Sequence, residues 1–171
     1  NVLVNYYKFD SNDVQLLPNP TGADILNAFQ TIDEKLDIEG ANDNVLIFFA
    51  GHGKWDPVTE EGFWCPSDAL DKDENTWISE SKVKRDLTHI ADKARNTLLI
   101  TDACFGGSIL LMKGEATNHD NAGIVSQYMR KSFKVITSGG KEEVKDKSKF
   151  IKSITINLEN NKKPELTATE L

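Results

Sequence analysis

Between Asn44 and Asp56 the chain reads NVLIFFAGHGKWD, with the apolar run Val45–Ala50 passing directly into Gly51-His52-Gly53. An unbroken apolar run of that length predicts a strand buried on both faces, as in the interior of a parallel sheet. A second such run, Thr97–Thr101 centred on Leu98-Leu99-Ile100, leads into TDACFGGS, and FKVITS (133–138) predicts a third strand. DVQLL (13–17) is a short strand candidate stopped by Pro18-Asn19-Pro20, and residues 1–9 fit either a helix end or a strand. Between the strands the period changes. Ile25, Leu26, Phe29, Ile32 and Leu36 lie on one face of a helix that Thr21 can cap and that Gly40–Asp43 breaks. Val83, Leu87 and Ile90 form the stripe of a second helix, capped by Ser79 and running to about His89. Ile124–Lys131 and Phe150–Leu158 predict further helices, and LTATEL begins another. Residues 51–77 read as one long polar connection, 106–122 as loop-like at its end, and 139–149 as a charged loop. Strands alternating with helices predict an α/β fold, a three-layer sandwich whose central sheet is mostly parallel and flanked by helices.

The chain has 171 residues, 39% hydrophobic and 27% charged, which suits one globular domain with a real core. Its net charge of −7 argues against a nucleic-acid partner, because phosphate binding needs clustered Lys and Arg. No apolar run approaches the roughly 18 residues of a bilayer span, so no membrane partner is expected. The two cysteines, Cys65 and Cys104, are expected as free thiols in a reducing, cytoplasmic compartment. With no initiator Met and no signal peptide, the chain is expected to be a fragment or processed piece.

The glycine-flanked histidine and the cysteine carry the candidate chemistry. In an open parallel sheet, reactive groups gather beyond the carboxyl ends of the strands. If the first two strands are neighbours, His52 and Cys104 emerge at one rim. An imidazole there raises the thiolate fraction and returns a proton to a leaving amine. Gly51 and Gly53 let a substrate approach closely, and the N–H groups of Gly53 and Cys104 can donate to a developing oxyanion. Cys65, between aromatics and Pro66, reads as a packing residue. His89 and His119 read as surface positions. A zinc site from His52, Cys65, Cys104 and His89 lacks the close ligand pairs of structural zinc, so no metal site is expected.

FFAGHG followed about fifty residues later by DACFGG resembles the caspase and metacaspase superfamily of cysteine peptidases, most closely its bacterial caspase-like members. The resemblance runs from about Val14 to Leu171, through LLPNPTGADILNAF, KVITSGGKEEV and LTATEL. It implies a single caspase-like peptidase domain over 1–171, lacking an N-terminal strand and part of the 141–149 loop. It implies His52 as general base and acid, Cys104 as nucleophile, and no cofactor. Two positions differ from the metacaspase pattern, Ala50 and Gly106, where serines are usual. Relatives are often one domain of larger proteins, which implies a sensor or regulatory partner. Some metacaspases respond to calcium, and the acids Asp68, Asp71, Asp73 and Glu74 are a weak candidate site without EF-hand spacing.

The residue two positions before the cysteine is Asp102. The resemblance implies Gln there in enzymes that cut after aspartate and Asp in those that cut after basic residues. A carboxylate at such a pocket attracts Lys or Arg and repels acids. The expected substrate is therefore a protein or peptide with Arg or Lys before the cut. Ser138 and Gly139 are expected in the pocket wall, with Asp146 as a second carboxylate and Asp10 or Asp13 as lesser candidates. Two other readings use the same residues: a catalytically silent scaffold or regulatory module, and a peptide ligase.

Overall fold

The computed structural model describes residues 2–39, 42–104, 131–138 and 149–163. In chain order these form α1 (Val2–Tyr7), α2 (Gly22–Glu39), β1 (Asn44–Asp56), β2 (Glu61–Cys65), β3 (Ile78–Ser79), α3 (Glu80–Lys93), β4 (Asn96–Ala103), β5 (Ser132–Thr137) and α4 (Phe150–Asn160). The five strands make one sheet in the order β3-β2-β1-β4-β5. The sheet is mixed: β1–β4 and β4–β5 pair parallel, β1–β2 and β2–β3 antiparallel.

The two helices read from the apolar stripes form as their caps dictate. The Thr21 hydroxyl accepts from Asp24 N–H at 3.2 Å while the Asp24 carboxylate accepts from Thr21 N–H at 2.9 Å. This reciprocal pair satisfies orphan donors of the first turn, and the Thr21 hydroxyl, donating to the Asp24 carboxylate at 2.7 Å, together with the Thr21 N–H holds that carboxyl below its ordinary pKa. Ser79 caps α3 by accepting from Lys82 N–H at 3.2 Å. Ile25, Phe29 and Leu36 of α2 meet Val83, Leu87 and Ile90 of α3 in one core with Leu99 and Trp64 of the sheet. Ile47, Phe49, Phe133 and Val135 pack against this core, so α2 and α3 cover the sheet face that carries odd-numbered residues of β1, β4 and β5. On the opposite face Phe48 keeps about half its surface exposed. α1 and α4 are tied by the Tyr7 hydroxyl, which donates to the Leu158 carbonyl at 2.9 Å. None of the described helices is long and apolar enough to cross a membrane.

Four expectations differ from the described structure. The sheet has as many antiparallel as parallel pairings and is not mostly parallel. β1 is not buried on both faces, since Phe48 and Ala50 are exposed. The 51–77 segment is not one long connection. β1 continues straight through Gly51-His52-Gly53 to Asp56, turns at Pro57–Glu60, and returns as β2. The Asp56 carboxylate closes the turn by accepting from Val58 N–H at 2.9 Å, and Glu60 takes a positive φ of 53°. This ribbon carries polar residues because one of its faces looks outward, and that disguised it as a loop. DVQLL is not a strand. Ser11–Asp13 is a 3₁₀ turn capped by Asp10, and Leu16 stands exposed; among the described residues no strand pairs with this segment. The 106–122 loop, the 124–131 helix, the 139–149 loop and the LTATEL helix fall outside the described residues, apart from Lys131 and Lys149 at their borders.

Leu87 has no exposed surface at the centre of the α2–α3–sheet core. Leu87→Ala is expected to lower unfolding stability by about 2–5 kcal/mol, read as a lower urea midpoint at unchanged slope. A cost below about 1 kcal/mol would mean the core is centred elsewhere.

Candidate active site

The parallel register of β1 and β4 runs from Asn44↔Asn96 to Gly51↔Ala103. His52 and Cys104 are the next residue along each backbone, one step beyond the last paired rung: Cys104 follows the end of β4, whereas His52 lies within β1 where its pairing passes from β4 to β2. The backbones remain in contact there. A Cβ on Gly53 would stand 2.0 Å from the Cys104 carbonyl oxygen and 3.3 Å from that of Phe63. Gly53 thus lets the turn after β4 lie against the ribbon, and no side chain fits in its place. Beneath this segment, Phe49 stacks on Trp64 with centroids 3.9 Å apart and planes within 2°. The Phe49 ring also fills the space where a Gly51 side chain would be, at 3.0 Å. The Gly-His-Gly segment therefore rests on a rigid aromatic floor anchored in the core.

Strand alternation sorts the remaining residues. Ala50, His52 and Lys54 share one face of β1. Asp102 is paired with Ala50 and so lies on that face, and Cys65 is the direct cross-strand partner of His52. His52 is exposed, and Cys65 and Cys104 are half-buried free thiols. Burial is the main cause that pushes the Cys65 thiol above its ordinary pKa. The Lys54 cation opposes the rise, while Asp71 and Cys104 add to it. Cys65 is therefore a protonated thiol at neutral pH and a poor nucleophile. The sequence suggested packing for Cys65, and half-burial agrees. Its place beside His52 came from the hairpin, which the sequence reading had missed.

Beyond Cys104, the Ser138 N–H donates to the Thr101 carbonyl at 3.1 Å, which extends the β4–β5 ladder one step. The Asp102 Oδ1 and the Ser138 Oγ are both buried without a hydrogen-bond partner. A buried acceptor without a partner is costly, and these two residues fall on adjacent strands, each one position past the Thr101↔Thr137 rung. Gly139 and Asp146 lie outside the described residues. Asp13 pairs with Lys35, and Asp10 caps its own turn.

The acidic stretch is engaged in the fold. Asp68 accepts from Gly22 N–H at 2.8 Å, Asp73 from Asn75 N–H at 3.1 Å, and Asp71 pairs with Lys54. Among the described residues no three His, Cys, Asp or Glu side chains converge as a metal would require. A cavity of about 1450 Å³ runs along β1, walled by Val14–Pro20 and α2, and reaches His52, Lys54, Cys65, Asp71 and Trp77.

A family model described as the caspase domain matches residues 1–168. No curated protein and no solved structure matches the chain.

The contact at Gly53 has a control in Gly22, where a Cβ would make only an ordinary 3.4 Å contact with Pro66. Gly53→Ala is expected to cost about 1–3 kcal/mol by thermal unfolding, while Gly22→Ala is neutral or stabilising. Equal melting of the two variants would mean that the turn after β4 does not press on the ribbon.

Proposed function

The chain belongs to the caspase-domain family of cysteine peptidases, and from that premise we propose that it hydrolyses peptide bonds after Arg or Lys, with His52 and Cys104 as the catalytic pair. The observation that carries the reading is the β1–β4 register, which ends one rung before both residues. His52 takes the Cys104 thiol proton, and the thiolate attacks the scissile carbonyl carbon. The N–H groups of Gly53 and Cys104 receive the oxyanion, an arrangement supported by the tight approach of those two backbones. The C–N bond then breaks as the imidazolium gives its proton to the leaving amine. Water, deprotonated by His52, attacks the thioester, and the Cys104 sulfur leaves as the acid product forms. Cys104, His52, backbone amides and water balance every proton and electron pair, so the scheme calls on no cofactor.

The choice of substrate rests on Asp102. Its unpartnered Oδ1 and the unpartnered Ser138 Oγ offer two acceptors on the nucleophile's side of the sheet. A guanidinium or ammonium satisfies both and neutralises the carboxylate, whereas an acidic side chain adds like charge to a half-buried site. Gly139 and Asp146 complete the pocket in this reading, as backbone wall and second carboxylate. The free thiols suit a reducing, cytoplasmic setting.

The test is a fluorogenic peptide panel that varies only the residue before the cut. Peptides with Arg and Lys should be cleaved and the Asp peptide should not. Cys104→Ala and His52→Ala should each lose about a thousandfold or more in turnover while keeping the wild-type circular dichroism. Asp102→Asn should reduce kcat/KM for the Arg peptide by about a hundredfold, because the buried partner charge is removed. An Asp102→Asn protein that cuts the Arg peptide at the wild-type rate would sink the basic-residue assignment.

A further inference from the structure

Lys54 lies two residues past His52 on the same face of β1, a rise of about 7 Å. Its ammonium sits 4.5 Å over the Trp77 ring and donates to the Asp71 carbonyl at 2.7 Å, as well as to the Asp71 carboxylate. Trp77 is itself fixed, edge-on to Phe63 at 5.7 Å and donating from its indole to the Leu70 carbonyl at 2.8 Å. Lys54, Asp71 and Trp77 line the same cavity as His52 and Cys65. A cation held by an aromatic face, a carbonyl and a carboxylate beside a reactive centre is a built feature that the hydrolysis scheme leaves unused.

Its place along a bound peptide follows from the order of the strands. The pocket for the residue before the cut is at β4–β5, through Asp102 and Ser138. His52 must deliver its proton to the departing amine, so in this reading the chain beyond the cut passes along β1, where Lys54 stands two residues past His52 with its ammonium held by Asp71 and Trp77 of the β2–β3 connection. We propose that Lys54, seated on Trp77, forms a subsite for an acidic side chain at the first or second substrate residue after the cut. This inference rests on the peptidase reading above.

The two members of the ion pair are not equivalent, and that decides the sign of the charge it selects. The Lys54 side chain is 34% exposed and held by ring and carbonyl, whereas Asp71 is 85% exposed. An incoming carboxylate can displace the exposed Asp71 carboxylate while Lys54 keeps its other two contacts. A substrate cation would instead have to strip Asp71 from a better-anchored partner. The site therefore favours acidic over neutral and neutral over basic residues, by about three- to fivefold per step for a partly solvated pair.

The test uses internally quenched peptides with Arg before the cut and Glu, Ala or Lys at the first or second position after it. The wild-type protein should give a Glu-to-Ala ratio of kcat/KM of about three to five. Lys54→Met should bring that ratio to about one, and Asp71→Asn should raise it by removing the internal competitor. Because each ratio compares two peptides on one protein, a general loss of activity cancels. The same peptides are titrated by fluorescence anisotropy into Cys104→Ala protein, a readout that needs no turnover. Glu-selective binding that disappears in the Cys104→Ala, Lys54→Met double variant supports the subsite even if hydrolysis after Arg fails. A Glu-to-Ala ratio of one in the wild type, or one unmoved by Lys54→Met, overturns it. So does a preference for the Lys peptide that Asp71→Asn abolishes.

Discussion

The contact between Gly53 and the Cys104 carbonyl is the constraint on which the site depends. Two strands from distant parts of the chain pair in parallel for eight rungs, and their ends are held together only because one of them carries no side chain at this point. A methyl group there would meet a backbone oxygen, which cannot swing aside as a flexible side chain can. Since backbone displacement is costly, a side chain at Gly53 would push the ribbon and the turn after β4 apart. The Phe49–Trp64 stack holds this junction from below, with Trp64 almost wholly buried in the α2–α3 core. Helix packing is thus linked mechanically to the position of the imidazole.

Around that junction the sheet divides the chemistry by sides. On the β4–β5 side stand two buried oxygen acceptors with no partner, Asp102 and Ser138. On the β2 side stands a cation already supplied with three contacts, Lys54. His52 lies between them. In the proposed reading, a peptide crossing the rim meets an acceptor-lined pocket, then the thiol and imidazole, then a seated ammonium. The antiparallel ribbon produces the second half of this arrangement, for without β2 and the Asp56 turn Lys54 would sit on a loose connection. Cys65 shares the ribbon but stays a protonated thiol, since burial outweighs the nearby cation.

Much of this was legible in the chain. Thr21 and Ser79 mark helix starts because their hydroxyls accept from amides three residues on, and Val83, Leu87 and Ile90 mark a buried stripe. The strands around Leu46–Phe49 and Leu98–Ile100 were visible as apolar runs, and the FFAGHG and DACFGG motifs carry the family. The hairpin was not visible, because a ribbon with one outward face has the polarity of a loop. DVQLL misled for the converse reason: local alternation does not by itself make a strand, and among the described residues none pairs with it. The Lys54–Asp71–Trp77 cluster was equally hidden, since Lys54 comes from β1 and the other two from separate points of the β2–β3 connection, and none is unusual alone.

The amino-acid sequence by itself determined which segments bury apolar faces, where the helices begin, and that a histidine and a cysteine each follow an apolar strand. Those are consequences of period, capping and composition, which act over a few residues. Only the tertiary structure decided that β1 and β4 are neighbours in parallel and in the register that ends at Gly51↔Ala103. Only it placed Cys65 opposite His52, and left the Asp102 Oδ1 and the Ser138 Oγ without partners. Strand order and register are set by the fit of whole faces against the α2–α3 core, and a one-residue slip would send every side chain to the wrong side of the sheet.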